Sequence, residues 1–341
     1  MALSDRGSLT DVDGLAVGHF DKATRGWRTG TTVVLADTPV TAGVEVRGGG
    51  PGTRETDALA PWNLVESIEA ICLSGGSAYG LRAADGVVDF LAAQGRGYPV
   101  GTLPHEVVPV VPAAVIFDLG RGGQFRNHPD ASFGTQAAAK ARAPQHRRGS
   151  IGAGIGALAG GLRGGVGMAS RRVTLRTDDT TTLTATVGAL CVVNARGSLI
   201  NPSSGLPWEA QSDLKAPSRS ERTTLQKYLA TVAPPSFNTT IGVVATDLVL
   251  TRPEATRLAM SAHDGLSRAI RPVHTLADGD TMFSMATGRH ELPTNDRTAA
   301  ISRLLAASAD CVAAACIDAV LHATSIGNIA AYRDLVPSAF R

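Results

Sequence analysis

From Asp296 to Ala323 the chain is apolar on nearly every side. Its Ala, Leu and Cys residues leave little polar face, and a helix of that kind must be covered by other elements. The chain therefore has to fold around this segment. Ile68-Glu69-Ala70-Ile71-Cys72-Leu73 adds a buried strand that runs into the glycine turn Ser74-Gly75-Gly76. After it, Leu81, Ala84, Val87, Val88 and Leu91 recur at helical spacing. Strand, glycine turn and helix in this order are elements of an α/β fold.

At 341 residues the chain is long enough to bury a sizeable core as one or two domains. Hydrophobic residues make up 43% and charged residues 18%, with abundant Gly and Ala, so small-residue elements should approach one another closely. The net charge of +2 gives no reason to expect a nucleic-acid or membrane partner. His146-Arg147-Arg148 and Arg171-Arg172 read as solvated loop faces. Met1 to Arg6 lacks the basic start and apolar stretch of a signal peptide, which leads to the expectation of a soluble, cytoplasmic protein. Cys72, Cys191, Cys311 and Cys316 are irregularly spaced and read as buried free thiols.

Further elements follow from local pattern. Thr31 to Leu35 and Ala42 to Val46 read as two strands, and Val107 to Leu119, broken by Pro109 and Pro112, as a strand near a sheet edge. Residues 120 to 150 read as a surface excursion with one short helix around Thr135 to Ala143. Arg172 to Arg176 and Thr184 to Val193 read as strands, and Asn201 to Pro235, rich in Pro, Ser and charge, as an exposed connection. Thr251-Arg252-Pro253-Glu254 is a capping box that opens a helix ended by Pro272, and Thr281 to Ala286 reads as a strand.

The chemistry is carried by a hydroxyl at the head of an apolar run, in Phe237-Asn238-Thr239-Thr240-Ile241-Gly242-Val243-Val244. If the bond before Thr239 were cut, the residue would carry its own α-amine, with a reference pKa of about 7.7 to 8.0, and so act as nucleophile and base at once. Downstream, Asp278-Gly279-Asp280 places two carboxylates in one turn, able to orient an amine or hold a proton, with His274 as a neighbour. Asn194, at the end of Leu190-Cys191-Val192-Val193, has a side-chain amide suited to an oxyanion. Ser77 lacks the Gly two residues later that a nucleophile elbow needs, since Tyr79 stands there, and reads as a helix N-cap or pocket-lining donor. Gly152-Ala153-Gly154-Ile155-Gly156-Ala157 fits a dinucleotide fingerprint by letter alone, and Gly48 to Thr53 lacks the Lys of a phosphate loop. No histidine pairing points to a metal, and no cofactor is expected.

Taken in order, these pieces resemble the S58 or DmpA-like self-processing hydrolases: the L-aminopeptidase/D-esterases, β-peptidyl aminopeptidases and nylon-oligomer hydrolases. The likeness runs from Leu9-Thr10-Asp11-Val12-Asp13-Gly14 through Arg47-Gly48-Gly49-Gly50-Pro51-Gly52, Leu73-Ser74-Gly75-Gly76-Ser77 and the Gly-rich block 149 to 170 to Asn238-Thr239 and Asp278-Gly279-Asp280. It implies a layered αββα-type sandwich, also shared by ornithine acetyltransferases, with a mixed β core covered by helices. It implies a single domain over 1–341 that cuts itself between Asn238 and Thr239, leaving chains 1–238 and 239–341 associated.

The same resemblance makes Thr239 the nucleophile, Asn194 the residue near the oxyanion, Asp280 the essential acid and Asp278 its hydrogen-bonding neighbour. Ser77, Tyr79 and Phe117 are expected around the pocket. The implied activity is hydrolysis of an amide at the amino end of a small peptide or peptide-like substrate, by a homo-oligomer of four or more chains. An acyltransferase with the same nucleophile, or an unprocessed binding protein, are the alternatives. Two positions depart from the nylon-oligomer hydrolases. Gly161 stands in place of their Lys, with Arg163 the nearest cation, and Phe117 before Asp118 stands in place of their Tyr before an Asp.

Overall fold

The computed structural model describes residues 7–176, 182–209, 211, 213–232, 237–292 and 296–340. The expected N-terminal start, Met1 to Arg6, and residues 210, 212 and 233–235 of the expected connection lie outside them.

Nine strands form the main sheet system among the described residues: β1 (Leu15–Lys22), β2 (Thr29–Val46), β3 (Thr53–Arg54), β4 (Ile68–Ser74), β5 (Ala113–Val115), β6 (Gly165–Arg176), β7 (Thr182–Asn194), β8 (Thr239–Leu248) and β9 (Thr281–His290). Their order is β6-β7-β8-β9-β2-β4-β5-β3, with β1 also paired to β2. The two strands expected at Thr31 to Leu35 and Ala42 to Val46 are one 18-residue strand. Its first half pairs with β1 and β4, and its last six residues pair with β9. The register shifts between Leu35 and Val40, so β2 passes from one sheet to the other.

Side-chain alternation divides the interior into three cores. Val34, Ile71 and Leu73 of one sheet face Leu190, Val192, Ile241, Val243 and Phe283 of the other. On the outer side of the first sheet, Val33, Ala70 and Cys72 pack on helices α1 (Ala83–Ala92) and α2 (Ala131–Ala139). On the outer side of the second, Cys191, Val193 and Val244 meet residues of α4 (Arg252–Ala269) and α5 (Arg297–Leu321), while α3 (Arg219–Thr231) adds Leu225 to the same core. The result is helix, sheet, sheet, helix. Both faces of β8 are therefore covered, and all ten of its residues are buried.

The apolar segment between Asp296 and Ala323 forms α5, capped by Asp296. By length and composition alone it could cross a membrane, yet most of its apolar stretch is buried inside the fold. Gly167 lets it sit close to β6, since a Cβ there would stand 2.0 Å from the Ala315 carbonyl oxygen. The capping box at Thr251 and Glu254 forms as expected, and the four cysteines are free and buried.

Two expectations are corrected. The 120 to 150 region is not merely a surface excursion: α2 begins four residues before the expected Thr135, capped by Asp130, and Phe133 and Ala137 are wholly buried. The connection from Asn201 contains the 13-residue α3, opened by a Ser218/Glu221 capping box within its polar sequence.

Candidate active site

Strand topology assembles the site. β8 and β9 run parallel, with Ile241 opposite Thr281, so both strands begin at the same end of the sheet. β7 runs antiparallel to β8 and ends there, with Asn194 opposite Thr239. A bridge between Asn238 and Asp278 completes the row. Three segments distant in sequence thus place Asn194, Asn238, Thr239, Asp278 and Asp280 together, each at most 5% exposed.

The Thr239 hydroxyl donates to the Asn238 carbonyl oxygen. Attack of this hydroxyl on the Asn238 carbonyl carbon would close a five-membered ring, as an N-to-O acyl shift requires. Asn238 is itself held in place: its amide N–H donates to Ala277 O at 3.2 Å and its Nδ2 to Asn194 O at 2.8 Å.

Asp280 fixes the backbone just beyond. Its Oδ1 accepts the Thr240 N–H at 2.7 Å, and its Oδ2 accepts the His274 N–H at 3.1 Å and contacts His274 Nδ1 at 2.8 Å. Asp278 accepts from the Arg196 N–H at 3.3 Å and from both the N–H and the hydroxyl of Thr275. Burial pushes the Asp278 carboxyl above its usual pKa, and the neighbouring Asp280 charge adds to this against the Thr275 and Arg196 bonds.

The glycine turn before β3 has a structural use that the missing Lys left open. Gly48 and Gly50 donate their N–H groups to Asp280 O and Asp278 O, at 3.3 and 2.8 Å. A Cβ on Gly48 would stand 2.3 Å from Asp280 N and 2.4 Å from Asp278 O, so only glycine admits this approach.

Asn194 is wholly buried. Its Oδ1 accepts from the Arg121 guanidinium and from Leu158 N at 3.0 Å, and its Nδ2 donates to Phe117 O at 3.3 Å. A cavity of about 230 Å³ opens beside Thr239, walled by Gly50 to Gly52, Ser77, Ala78, Val115, Phe117, Phe237, Asn238 and Ala277. Phe117 and Phe237 pack ring to ring with centroids 5.6 Å apart.

Of the three residues that the resemblance implied around a pocket, Ser77 and Phe117 stand at the wall of this cavity and Tyr79 does not. It is half exposed and stacked on His128 at 4.9 Å. The segment Ser77–Arg82 is a 3₁₀ turn, in which two residues are about 240° apart, so Ser77 and Tyr79 cannot face the same way. Gly76, not Ser77, occupies the N-cap, and Ser77 has a φ of +52°. His274 contacts Asp280 as its neighbouring position in sequence implied. Among the described residues no group of three or more His, Cys, Asp or Glu side chains could hold a metal ion.

Sequence reasoning missed Arg121, Thr275 and Arg196. Thr275 had a readable local signal, a hydroxyl three residues before an Asp. Arg121 had none, because its partner Asn194 lies 73 residues away.

The family model of peptidase family S58 matches residues 7–332. The chain belongs to peptidase family S58. Within the family it is 43% identical to the uncharacterized aminopeptidase Rv1333 of Mycobacterium tuberculosis, over 98% of this chain and 99% of that protein. It is 29% identical to the 6-aminohexanoate-oligomer endohydrolase of Kocuria sp., over 83% of this chain and 76% of that one. Its fold is that of the L-aminopeptidase D-Ala-esterase/amidase of Ochrobactrum anthropi, a variant of the Ntn hydrolase fold, with a TM-score of 0.71 at 21% identity over 95% and 88% of the two chains. The S58 chain is a peptidase-type hydrolase, and the layered mixed-sheet fold implied by its motifs is the one it has.

Proposed function

We propose that this S58 hydrolase matures by cutting itself between Asn238 and Thr239, and that the freed Thr239 then hydrolyses amide bonds of small peptides or peptide-like substrates. The observation that carries the reading is the Thr239 hydroxyl lying against the Asn238 carbonyl at the buried head of β8.

In maturation Thr239 Oγ attacks the Asn238 carbonyl carbon, the Asn238–Thr239 C–N bond breaks, and the nitrogen leaves as a free amine. Water then hydrolyses the resulting ester, giving the Asn238 carboxylate and restoring the hydroxyl. In turnover the Thr239 amine takes the hydroxyl proton, Oγ attacks the substrate carbonyl, and the protonated amine returns its proton to the leaving nitrogen. Water resolves the acyl-enzyme. Asn194 would offer the oxyanion the side-chain N–H that the Phe117 carbonyl does not take, and Asp280 would hold the strand that carries the nucleophile.

Uncharged residues line the cavity, which suits a small apolar acyl or amine portion. The names of the relatives define the first compounds to try, aminoacyl p-nitroanilides and short 6-aminohexanoate oligomers. Release of the free acid by purified protein, unchanged by an added acceptor amine, is the expected result. Quantitative transfer of the acyl group to that amine with no free acid would reassign the chain to acyl transfer.

A further inference from the structure

We propose that Arg121 is a positioning residue for Asn194: it fixes which end of the Asn194 amide faces the cavity wall and supplies the positive charge behind it. This rests on the reading of Thr239 and Asn194 given above.

An asparagine amide can turn by 180°, and its surroundings decide which end carries the N–H groups. Oδ1 of Asn194 takes two donors, the Arg121 guanidinium and the Leu158 N–H. A turned amide would press its own NH2 against both, leaving buried donors without acceptors, each costing about 1–3 kcal/mol. The donor end is thereby directed to the other side, where Nδ2 reaches the carbonyl of Phe117, a residue of the cavity wall. A charged donor on Oδ1 also draws electron density from the amide and makes its N–H groups stronger donors.

Arg121 is held for this task. The nitrogen that meets Asn194 also donates to Gly156 O at 2.9 Å, and the Arg121 backbone N–H donates to Asp118 O at 3.2 Å. Burial brings its pKa down to about 10, opposed by the Asp118 charge and reinforced by Arg28, so it stays protonated at neutral pH.

The cation singled out by the sequence, Arg163, is engaged elsewhere. Arg163 is buried and donates to Thr324 O, Ile155 O, Ala157 O and Ser150 Oγ, none of them part of the catalytic row. Position 161 points at Val232 beside α3, where a Cβ would meet that side chain at 3.2 Å, and its φ of +88° disfavours any Lys. The charge that a Lys in the Gly-rich block would bring comes instead from a loop between β5 and α2.

The test is a set of variants assayed for the rate of self-cleavage and for kcat and KM of the matured protein on a p-nitroanilide. Arg121→Gln should slow self-cleavage and lower kcat by about tenfold to a hundredfold, the scale of a misplaced reacting group, with KM within about twofold. Arg121→Lys, which keeps a charged donor, should recover most of that loss. In an Asn194→Ala background, Arg121→Gln should have almost no further effect, because the group it positions is gone. Equal losses in both backgrounds, or an unchanged kcat in Arg121→Gln, would overturn the proposal. Thr239→Ala run in parallel keeps the two assignments apart. Activity that survives it removes the nucleophile and this proposal together, whereas its loss beside wild-type rates in Arg121→Gln removes only the role of Arg121.

Discussion

Asp280 accepts the Thr240 N–H through Oδ1 while its other oxygen faces two nitrogens of His274. One buried carboxylate therefore ties the residue after the proposed nucleophile to the turn that precedes β9. Asp280→Asn cannot reproduce this, because either orientation of the amide sets an NH2 against a donor. We expect self-cleavage to slow by about a hundredfold, as for a reacting group shifted by an ångström, with the fold retained. The fraction of uncut chain on denaturing gels over time measures it.

Asn194→Asp tests the donor separately from the packing. The carboxylate still accepts from Arg121 and Leu158 but offers no N–H. Loss of one oxyanion donor costs roughly 10²- to 10³-fold in kcat. We expect that loss with an essentially unchanged circular dichroism spectrum, measured on matured protein.

Gly48→Ala should affect the acidic turn from outside. Its methyl would overlap the backbone at Asp278 and Asp280. Forcing the turn aside should destabilise the protein by about 1–3 kcal/mol, as overpacking does, and slow self-cleavage by at least tenfold. Urea unfolding and the gel assay read the two effects.

Asp118 predicts a pH signature. Burial raises its pKa to about 6, against the bond from the Gly76 N–H and the charge of Arg121. A carboxyl raised in the folded state stabilises fully below its unfolded pKa of about 3.9, and that contribution is lost as pH rises through about 6. Asp118→Asn keeps an acceptor for the Gly76 N–H but cannot ionise. Relative to its parent it should gain roughly 2 kcal/mol between pH 4 and pH 7, a tenfold difference in proton affinity between the folded and unfolded chain being worth about 1.36 kcal/mol and the unfolded carboxyl being already half ionised at about pH 4. The comparison is made in the Thr239→Ala background, where the chain is expected to stay in one piece. The difference isolates Asp118 from His19 and His263, whose pKa values burial lowers to about 3 and about 4.

The candidate row was legible because its members stand at strand ends beside apolar runs. Thr239 heads β8, Asn194 ends β7 and Asp280 precedes β9, so once those runs are strands of one sheet the residues can meet. Their partners were not legible. Arg121 lies in a loop whose position is fixed by contacts on another part of the chain, and no local pattern marks it. Helix α3 was hidden by the Pro- and Ser-rich composition around it, although Ser218 and Glu221 had the spacing of a capping box. Phe133 made the difference for α2: a single large buried side chain anchors a helix whose Ala and Gly residues carry little amphipathic signal.

The most direct test of the account is the intact mass of purified wild-type protein and of Thr239→Ala. Wild type should give two masses, for residues 1–238 and 239–341, with the shorter chain beginning at Thr239, and the variant should give one full-length mass. A catalytically active wild type with a single full-length mass, or a Thr239→Ala chain cut at the same bond, would contradict it.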